Sequence, residues 1–125
     1  MSYHKVAMTA DIPAEGGRLI RLGRDQIAIF RLSGDQVQYF ALNDLCPHRG
    51  APLSEGYLES DKVLCPWHCF DFNLRTGESM IAPHLCVATY PVRVDENEAI
   101  WILYPDDVPD DQVESEERAG ASDDL

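Results

Sequence analysis

Short apolar runs separated by turn residues dominate the first 104 residues of the chain. The runs are rich in β-branched and aromatic residues, and clusters such as Gly23-Arg24-Asp25 and Ser33-Gly34-Asp35 separate them as hairpin turns would. The predicted strands are Leu19–Leu22, Gln26–Leu32, Val37–Leu42, Lys62–Leu64, Phe70–Leu74, Thr89–Val94 and Ala99–Tyr104. Several closely spaced strands with few helical stretches predict an all-β fold, a small sandwich or barrel.

The composition of the chain changes sharply after Pro105. Nine Asp and Glu residues and one Arg follow it, so this segment carries −8 of the formal net charge of −12. Segments of this kind are typically solvated and lack a packed core. We therefore expect one domain over residues 1–104 and an acidic, disordered tail over residues 105–125.

The charge balance and the apolar pattern also limit partners and location. No basic stripe is present to neutralise phosphates, which disfavours nucleic acid as a partner. No apolar run approaches the ~20 residues needed to span a bilayer, and the first residues lack the layout of a signal peptide. We expect a cytoplasmic protein that binds neither nucleic acid nor membrane. In that reducing compartment cysteines more often bind metal than form disulfides.

Two short segments, Cys46-Pro47-His48 and Cys65-Pro66-Trp67-His68, each contain one cysteine and one histidine. Both follow predicted strands, so the strands would hold the two segments at one end of the molecule. Thiolate is a soft ligand and imidazole a borderline one, and together they indicate a metal site. The repeated Cys-Pro pattern argues against a chance coincidence of the four side chains.

Two kinds of metal site fit these four side chains. A structural zinc ion often takes two thiolates and two imidazoles, but zinc modules tend to pair like ligands within one element. A two-iron cluster has two thiolates on one iron and two imidazoles on the other. Two equivalent loops would suit it if each loop supplied one thiolate and one imidazole. The sequence favours the two-iron cluster, with a zinc-stabilised interaction module as the alternative of a different class.

The chain resembles the Rieske [2Fe–2S] family. The matching stretches are Cys46-Pro47-His48-Arg49-Gly50, Cys65-Pro66-Trp67-His68 and the run Phe70 to Glu78, with sixteen residues between His48 and Cys65. The resemblance implies a Rieske-like β-sandwich with a smaller cluster-binding subdomain over about residues 42–83. It also implies a [2Fe–2S] cluster bound through its inner iron by Cys46 and Cys65, and through its outer iron by His48 and His68.

Departures from the respiratory members of that family indicate a ferredoxin-type protein. Those members carry extra cysteines where this chain has Ala51 and Trp67, so the disulfide between their loops cannot form here. Their serine and tyrosine hydroxyls correspond to Phe70 and Phe72, which donate no hydrogen bond. Fewer such bonds lower the reduction potential, and we expect a value near the low end of the ~−150 to +300 mV range of these clusters.

An electron carrier is the function that this cluster implies. Irons fully ligated by protein have no open position for substrate, and no second catalytic motif is present. We expect a carrier without its own catalytic site, or a subunit of an oxidoreductase, that passes one electron from a flavin-dependent reductase to an oxygenase. The alternative is the small subunit of an NAD(P)H-dependent nitrite reductase, with the large subunit as partner.

Two further expectations concern the surroundings of the cluster. Arg49, Leu53, Trp67 and Pro83 are predicted to form the docking face for redox partners, with core filling as the alternative for Leu53 and Trp67. Cys69 and Cys86 are left over as reduced, buried thiols, with a disulfide between them as the alternative.

Overall fold

The computed structural model describes residues 1–46, 51–66, 70–80 and 85–105, and the backbone of 114–116. Within these ranges the chain forms strands and two single-turn 3-10 helices, Thr9–Asp11 and Leu53–Glu55. The strands are β1 (Ser2–Met8), β2 (Gly17–Leu22), β3 (Asp25–Leu32), β4 (Gln38–Asn43), β5 (Tyr57–Glu59), β6 (Lys62–Leu64), β7 (Asp71–Asn73), β8 (Thr89–Tyr90), β9 (Val92–Val94), β10 (Ala99–Tyr104) and β11 (Glu114–Glu116).

The strands form three sheets, and every described pairing between them is antiparallel. The outer sheet has the order β1-β10-β9, and the central sheet has the order β11-β2-β3-β4-β8. A small third sheet, β5-β6-β7, is built from consecutive strands. Its strands β5 and β6 lie between the two cysteine-containing loops, and β7 follows the second loop. Hairpins joining sequence neighbours therefore account for most of the topology.

Both faces of the central sheet contribute to apolar clusters, and neighbouring side chains along a strand point to opposite faces. On β3, Ile27 and Ile29 belong to one apolar cluster, whereas Ala28 and Phe30 belong to another. The first cluster, here called the sandwich core, lies between the central and outer sheets. Its fully or nearly buried members are Val6, Ala7, Ile12, Ile20, Leu22, Ile27, Ile29, Ala41, Ile100, Ile102 and Tyr104.

The second cluster, here called the loop core, joins the central sheet to the small sheet. Its buried members are Ala28, Phe30, Leu42, Cys46, Ala51, Leu53, Val63, Cys65, Phe72, Leu74 and Val87. Both predicted thiolate ligands belong to this cluster. The opposite face of the central sheet contributes Ile20, Ile27 and Ile29 to the sandwich core.

The all-β prediction is confirmed, and the predicted strands β2, β3, β4, β6, β7 and β10 are present with ends shifted by at most two residues. The predicted strand Thr89–Val94 is divided, because Pro91 separates β8 from β9 and these two strands join different sheets. The sequence did not predict β1 or β5. β1 is specified by its pairing with β10, from Ser2 opposite Tyr104 to Met8 opposite Ala99.

The domain boundary at Pro105 stays a prediction. Beyond it the structure describes β11, which pairs with β2 and places Ser115 opposite Ile20, where the sequence predicted no strand. Among the described residues, no helix is long and apolar enough to cross a membrane.

Candidate metal centre

The first cysteine-containing loop begins just after β4. Cys46 is 1% exposed, and its backbone N–H donates to the carbonyl oxygen of Ala51 at 2.8 Å. Leu45 and Pro52 form an isolated bridge just outside that hydrogen bond. The two sides of the loop are therefore held together at its base, next to the thiol.

A buried carboxylate at Asp44 strengthens the base of this loop. Its Oδ1 atom accepts a hydrogen bond from the Ser54 N–H at 2.7 Å, and its carbonyl oxygen accepts one from the Leu53 N–H at 2.7 Å. The Asp44 N–H in turn donates to the Gln26 carbonyl at 2.7 Å. Asp44 thus fastens both sides of the loop to β3, a role that the sequence analysis missed.

The second loop repeats the geometry of the first. Cys65 is fully buried, and its N–H donates to the carbonyl oxygen of Phe70 at 2.7 Å. In both loops the cysteine N–H is bonded to the carbonyl five residues further on. Each thiol thus lies at the start of a loop of the same length, closed in the same way.

Close backbone packing holds the two loops side by side. Gly56 follows the first loop and lies against the carbonyl of Leu64, the residue before Cys65, so closely that a Cβ atom on Gly56 would overlap that oxygen. Gly56 has φ −79°, so the glycine is needed for this approach and not for a left-handed backbone. The Cys46 and Cys65 side chains both belong to the loop core.

Several predicted site residues lie outside the described residues. These are His48, His68, Arg49, Trp67, Cys69 and Pro83, and with them the segment Ile81-Ala82-Pro83. Their placement, including the imidazole ligation, stays a prediction.

Two expectations about the surroundings are wrong. Leu53 is fully buried in the loop core, so it packs beneath the loops and cannot belong to a docking face. Cys86 was expected to be buried, but it is an exposed free cysteine in a bridge with Glu78. Its neighbour Val87 fills the core instead, as alternation along an extended segment requires.

Asp71 is a second buried carboxylate that sequence reasoning missed. It begins β7 directly after the second loop, is 3% exposed, and accepts hydrogen bonds from Ser79 Oγ and the Met80 N–H. The sequence feature that could have indicated this role is an acidic residue between Phe70 and Phe72, in a strand whose other residues are suited to burial. An acid at such a position needs partners, because burying an unpaired carboxylate is costly.

The described donor set fits a two-iron cluster. The Cys46 and Cys65 thiols are buried, and Ala51, Val63 and Phe72 belong to the same loop core. Thiolates shielded from water in an apolar setting are suited to bind iron. Each of the two equivalent loops places one thiol in the protein interior. This arrangement matches a cluster whose buried iron is bound by both thiolates.

Comparison with known proteins assigns the chain to a family. Residues 2–103 match the family described as the Rieske-like [2Fe-2S] domain. The chain is 38% identical over 103 residues to the ferredoxin subunit of the 3-phenylpropionate/cinnamic acid dioxygenase of Escherichia coli (strain K12), covering 80% of this chain and 92% of that protein.

Solved structures have the same fold. The ferredoxin of carbazole 1,9a-dioxygenase from Nocardioides aromaticivorans IC177 superposes with a TM-score of 0.72 at 26% identity, covering 84% of this chain and all of that one. A Mycobacterium tuberculosis protein assigned as the small subunit of an NADH-dependent nitrite reductase has a TM-score of 0.74 at 23% identity, covering 83% and 96% of the two chains.

The twin closed loops and the family match together define the class: the chain belongs to the Rieske-like [2Fe–2S] family. It is an electron-transfer protein of the ferredoxin type that carries a [2Fe–2S] cluster.

Proposed function

We propose that this protein carries single electrons from a flavin-dependent reductase to a terminal dioxygenase. The observation that carries the proposal is the 38% identity to a dioxygenase ferredoxin subunit over 92% of that protein's length. The similarity to a carbazole dioxygenase ferredoxin at 26% identity supports it.

We further propose that Cys46 and Cys65 bind the inner iron of the cluster and His48 and His68 the outer iron. The burial of both thiols and the identical closure of their loops support the inner position of the cysteines. When bound, a cluster ligated in this way accepts and donates one electron and offers no open coordination position.

The residues around the thiols have separate parts in this proposal. Ala51, Leu53, Val63 and Phe72 exclude water from the thiol side, and their aliphatic and aromatic groups donate no hydrogen bond to sulfur. The backbone bonds of Cys46 and Cys65 orient the loops before metal binds, which limits the entropy lost on binding. The apolar side chains described around the thiols support a potential at the low end of the ~−150 to +300 mV range.

Iron analysis with visible and EPR spectroscopy of the purified protein tests the ligand assignment. We expect Cys46→Ser and Cys65→Ser each to lose the cluster, whereas Cys86→Ser is the matched control and should keep it, because that thiol is exposed. His48→Ala and His68→Ala extend the test to the imidazoles. A cysteine variant that retains full iron content would contradict the assignment.

Electron transfer is tested with separately purified partners. Reduced protein should be oxidised by a dioxygenase supplied with substrate, and reduced by NADH only when a flavin-dependent reductase is added. Reduction that never passes to the dioxygenase would overturn this choice of acceptor.

The other functions considered from the sequence have less support. The nitrite reductase small subunit is similar at 23% identity, which supports a shared fold and does not select that function. The zinc-stabilised module is not the class to which the family match points. The cytoplasmic location and the absence of nucleic-acid or membrane binding stay predictions.

A further inference from the structure

A buried carboxylate next to the second loop joins two parts of the site that are not neighbours in the sequence. Asp71 lies opposite Leu64 in the β6–β7 pair, and it follows Phe70, whose carbonyl accepts the Cys65 N–H. The Asp71 side chain is therefore attached to the base of the second loop. A displacement of Asp71 would disturb the backbone that holds Cys65.

The carboxylate of Asp71 reaches a separate segment, Ser79–Met80. Its Oδ1 atom accepts hydrogen bonds from Ser79 Oγ at 3.1 Å and from the Met80 N–H at 3.0 Å. The backbone bond of the same segment, from the Ser79 N–H to the Leu85 carbonyl, is longer at 3.4 Å. Because hydrogen bonds weaken with length, the carboxylate contributes the two better bonds described for this segment.

The burial of Asp71 indicates that these bonds matter. Asp71 and Ser79 are each 3% exposed, whereas the Met80 side chain is 76% exposed and contributes little packing. The nearest described cation is Lys62, with its Nζ atom 3.6 Å from Asp71 Oδ2 and its side chain one-third exposed. Because a buried carboxylate is more costly than a hydrophobic residue at this position, the hydrogen bonds that Asp71 accepts offset the cost of its burial.

We propose that Asp71 is a positioning residue that locks the base of the second ligand loop to Ser79–Met80 and thereby fixes the surroundings of the cluster. The inference rests on the proposed ligand role of Cys65. It adds that the geometry of the centre depends on a carboxylate that is not itself a ligand.

Three variants separate the parts of this proposal. Asp71→Ala removes both hydrogen bonds, Ser79→Ala removes one, and Asp71→Asn keeps an oxygen that can accept both while it removes the charge. Asp95→Ala is the matched control, since Asp95 also accepts several hydrogen bonds but lies in the β9–β10 turn, away from the loops.

Hydrogen–deuterium exchange by mass spectrometry and EPR of the reduced protein are the two measurements. In Asp71→Ala the Met80 amide should exchange about tenfold faster, because a buried hydrogen bond to a charged group is lost. The EPR g-values should shift as well. Asp71→Asn should restore both properties, Ser79→Ala should show a smaller change, and Asp95→Ala should alter neither.

Other results would overturn the proposal. If Asp71→Ala leaves hydrogen exchange at the Met80 amide unchanged, Asp71 does not hold the Ser79–Met80 segment in place. If the Ala and Asn variants shift the midpoint potential equally without a change in exchange, Asp71 acts only through its charge. The exchange measurement does not require electron transfer. It therefore tests the role of Asp71 even if the iron analysis or the partner assay disproves the proposed function.

Discussion

The two faces of the central sheet use the same alternation of side chains to build different cores. Ile27 and Ile29 of β3 pack into the sandwich core, whose members come from strands paired along most of their length. Ala28 and Phe30 pack into the loop core, which includes Cys46 and Cys65 and relies on short strands and loop closures. Both faces of the sheet therefore stabilise the fold, and only the face that packs into the loop core also supports the two thiols.

The largest expected effect comes from truncating neighbouring residues on opposite faces. Ile29→Ala should cost about 2–5 kcal/mol and Phe30→Ala about 3–5 kcal/mol of the free energy of unfolding, since both side chains are fully buried. Only Phe30→Ala should also lower the iron content per chain and broaden the EPR signal. Chemical denaturation and iron analysis on the same samples measure the two effects. Equal loss of iron in both variants would show that the faces are not independent.

A methyl group between the two loops should have the next largest effect. Gly56→Ala forces the first loop away from the Leu64 carbonyl, and overpacking of this kind costs about 1–3 kcal/mol. We expect lower iron content and an altered visible spectrum. Gly34→Ala is the matched control, because a Cβ there has only the Gln36 carbonyl at 4.0 Å. An unaltered cluster in Gly56→Ala would mean that the loops are held by other contacts.

Removal of residues 106–125 should act on the edge of the central sheet and leave the metal site unchanged. The deletion removes β11, so backbone groups of β2 between Leu19 and Arg21 lose their partners. Faster hydrogen exchange is expected there, together with self-association through the newly open edge. Mass spectrometry and size-exclusion chromatography measure the two outcomes. If protection at Leu19–Arg21 is unaffected, β11 does not occupy this edge in solution.

The smallest effect concerns a turn in the outer sheet. Hydrogen bonds from the Ala99 backbone N–H and from the Trp101 indole hold the pKa of Asp95 below its ordinary value. A lowered pKa means that the ionised carboxylate stabilises the fold at pH above about 3.9, and that this stabilisation is lost as the pH falls through the lower folded-state pKa. The Tm difference between wild type and Asp95→Asn should therefore shrink from about pH 6 to about pH 3. A difference that is constant over this range would contradict the linkage.

The sequence predicted what depends on neighbouring residues along the chain. Alternating apolar runs indicated most strands, and the spacing of cysteines and histidines indicated the type of cluster, which the family match supports. It missed β1 and β5, because these strands are specified by pairing with β10 and β6. It also left the environment of Leu53 open and assigned Cys86 to the wrong one, since local pattern does not say which side of an irregular segment faces the core.

The sequence by itself therefore determined the all-β class, the twin Cys-Pro segments and the acidic composition after Pro105. Only the tertiary structure decided that the two cysteines share one buried cluster, that Gly56 lies on Leu64, and that Asp44 and Asp71 fasten the loops. The reason is physical: ligand type and strand propensity are local properties, whereas loop closure and the pairing of buried carboxylates depend on contacts between distant parts of the chain.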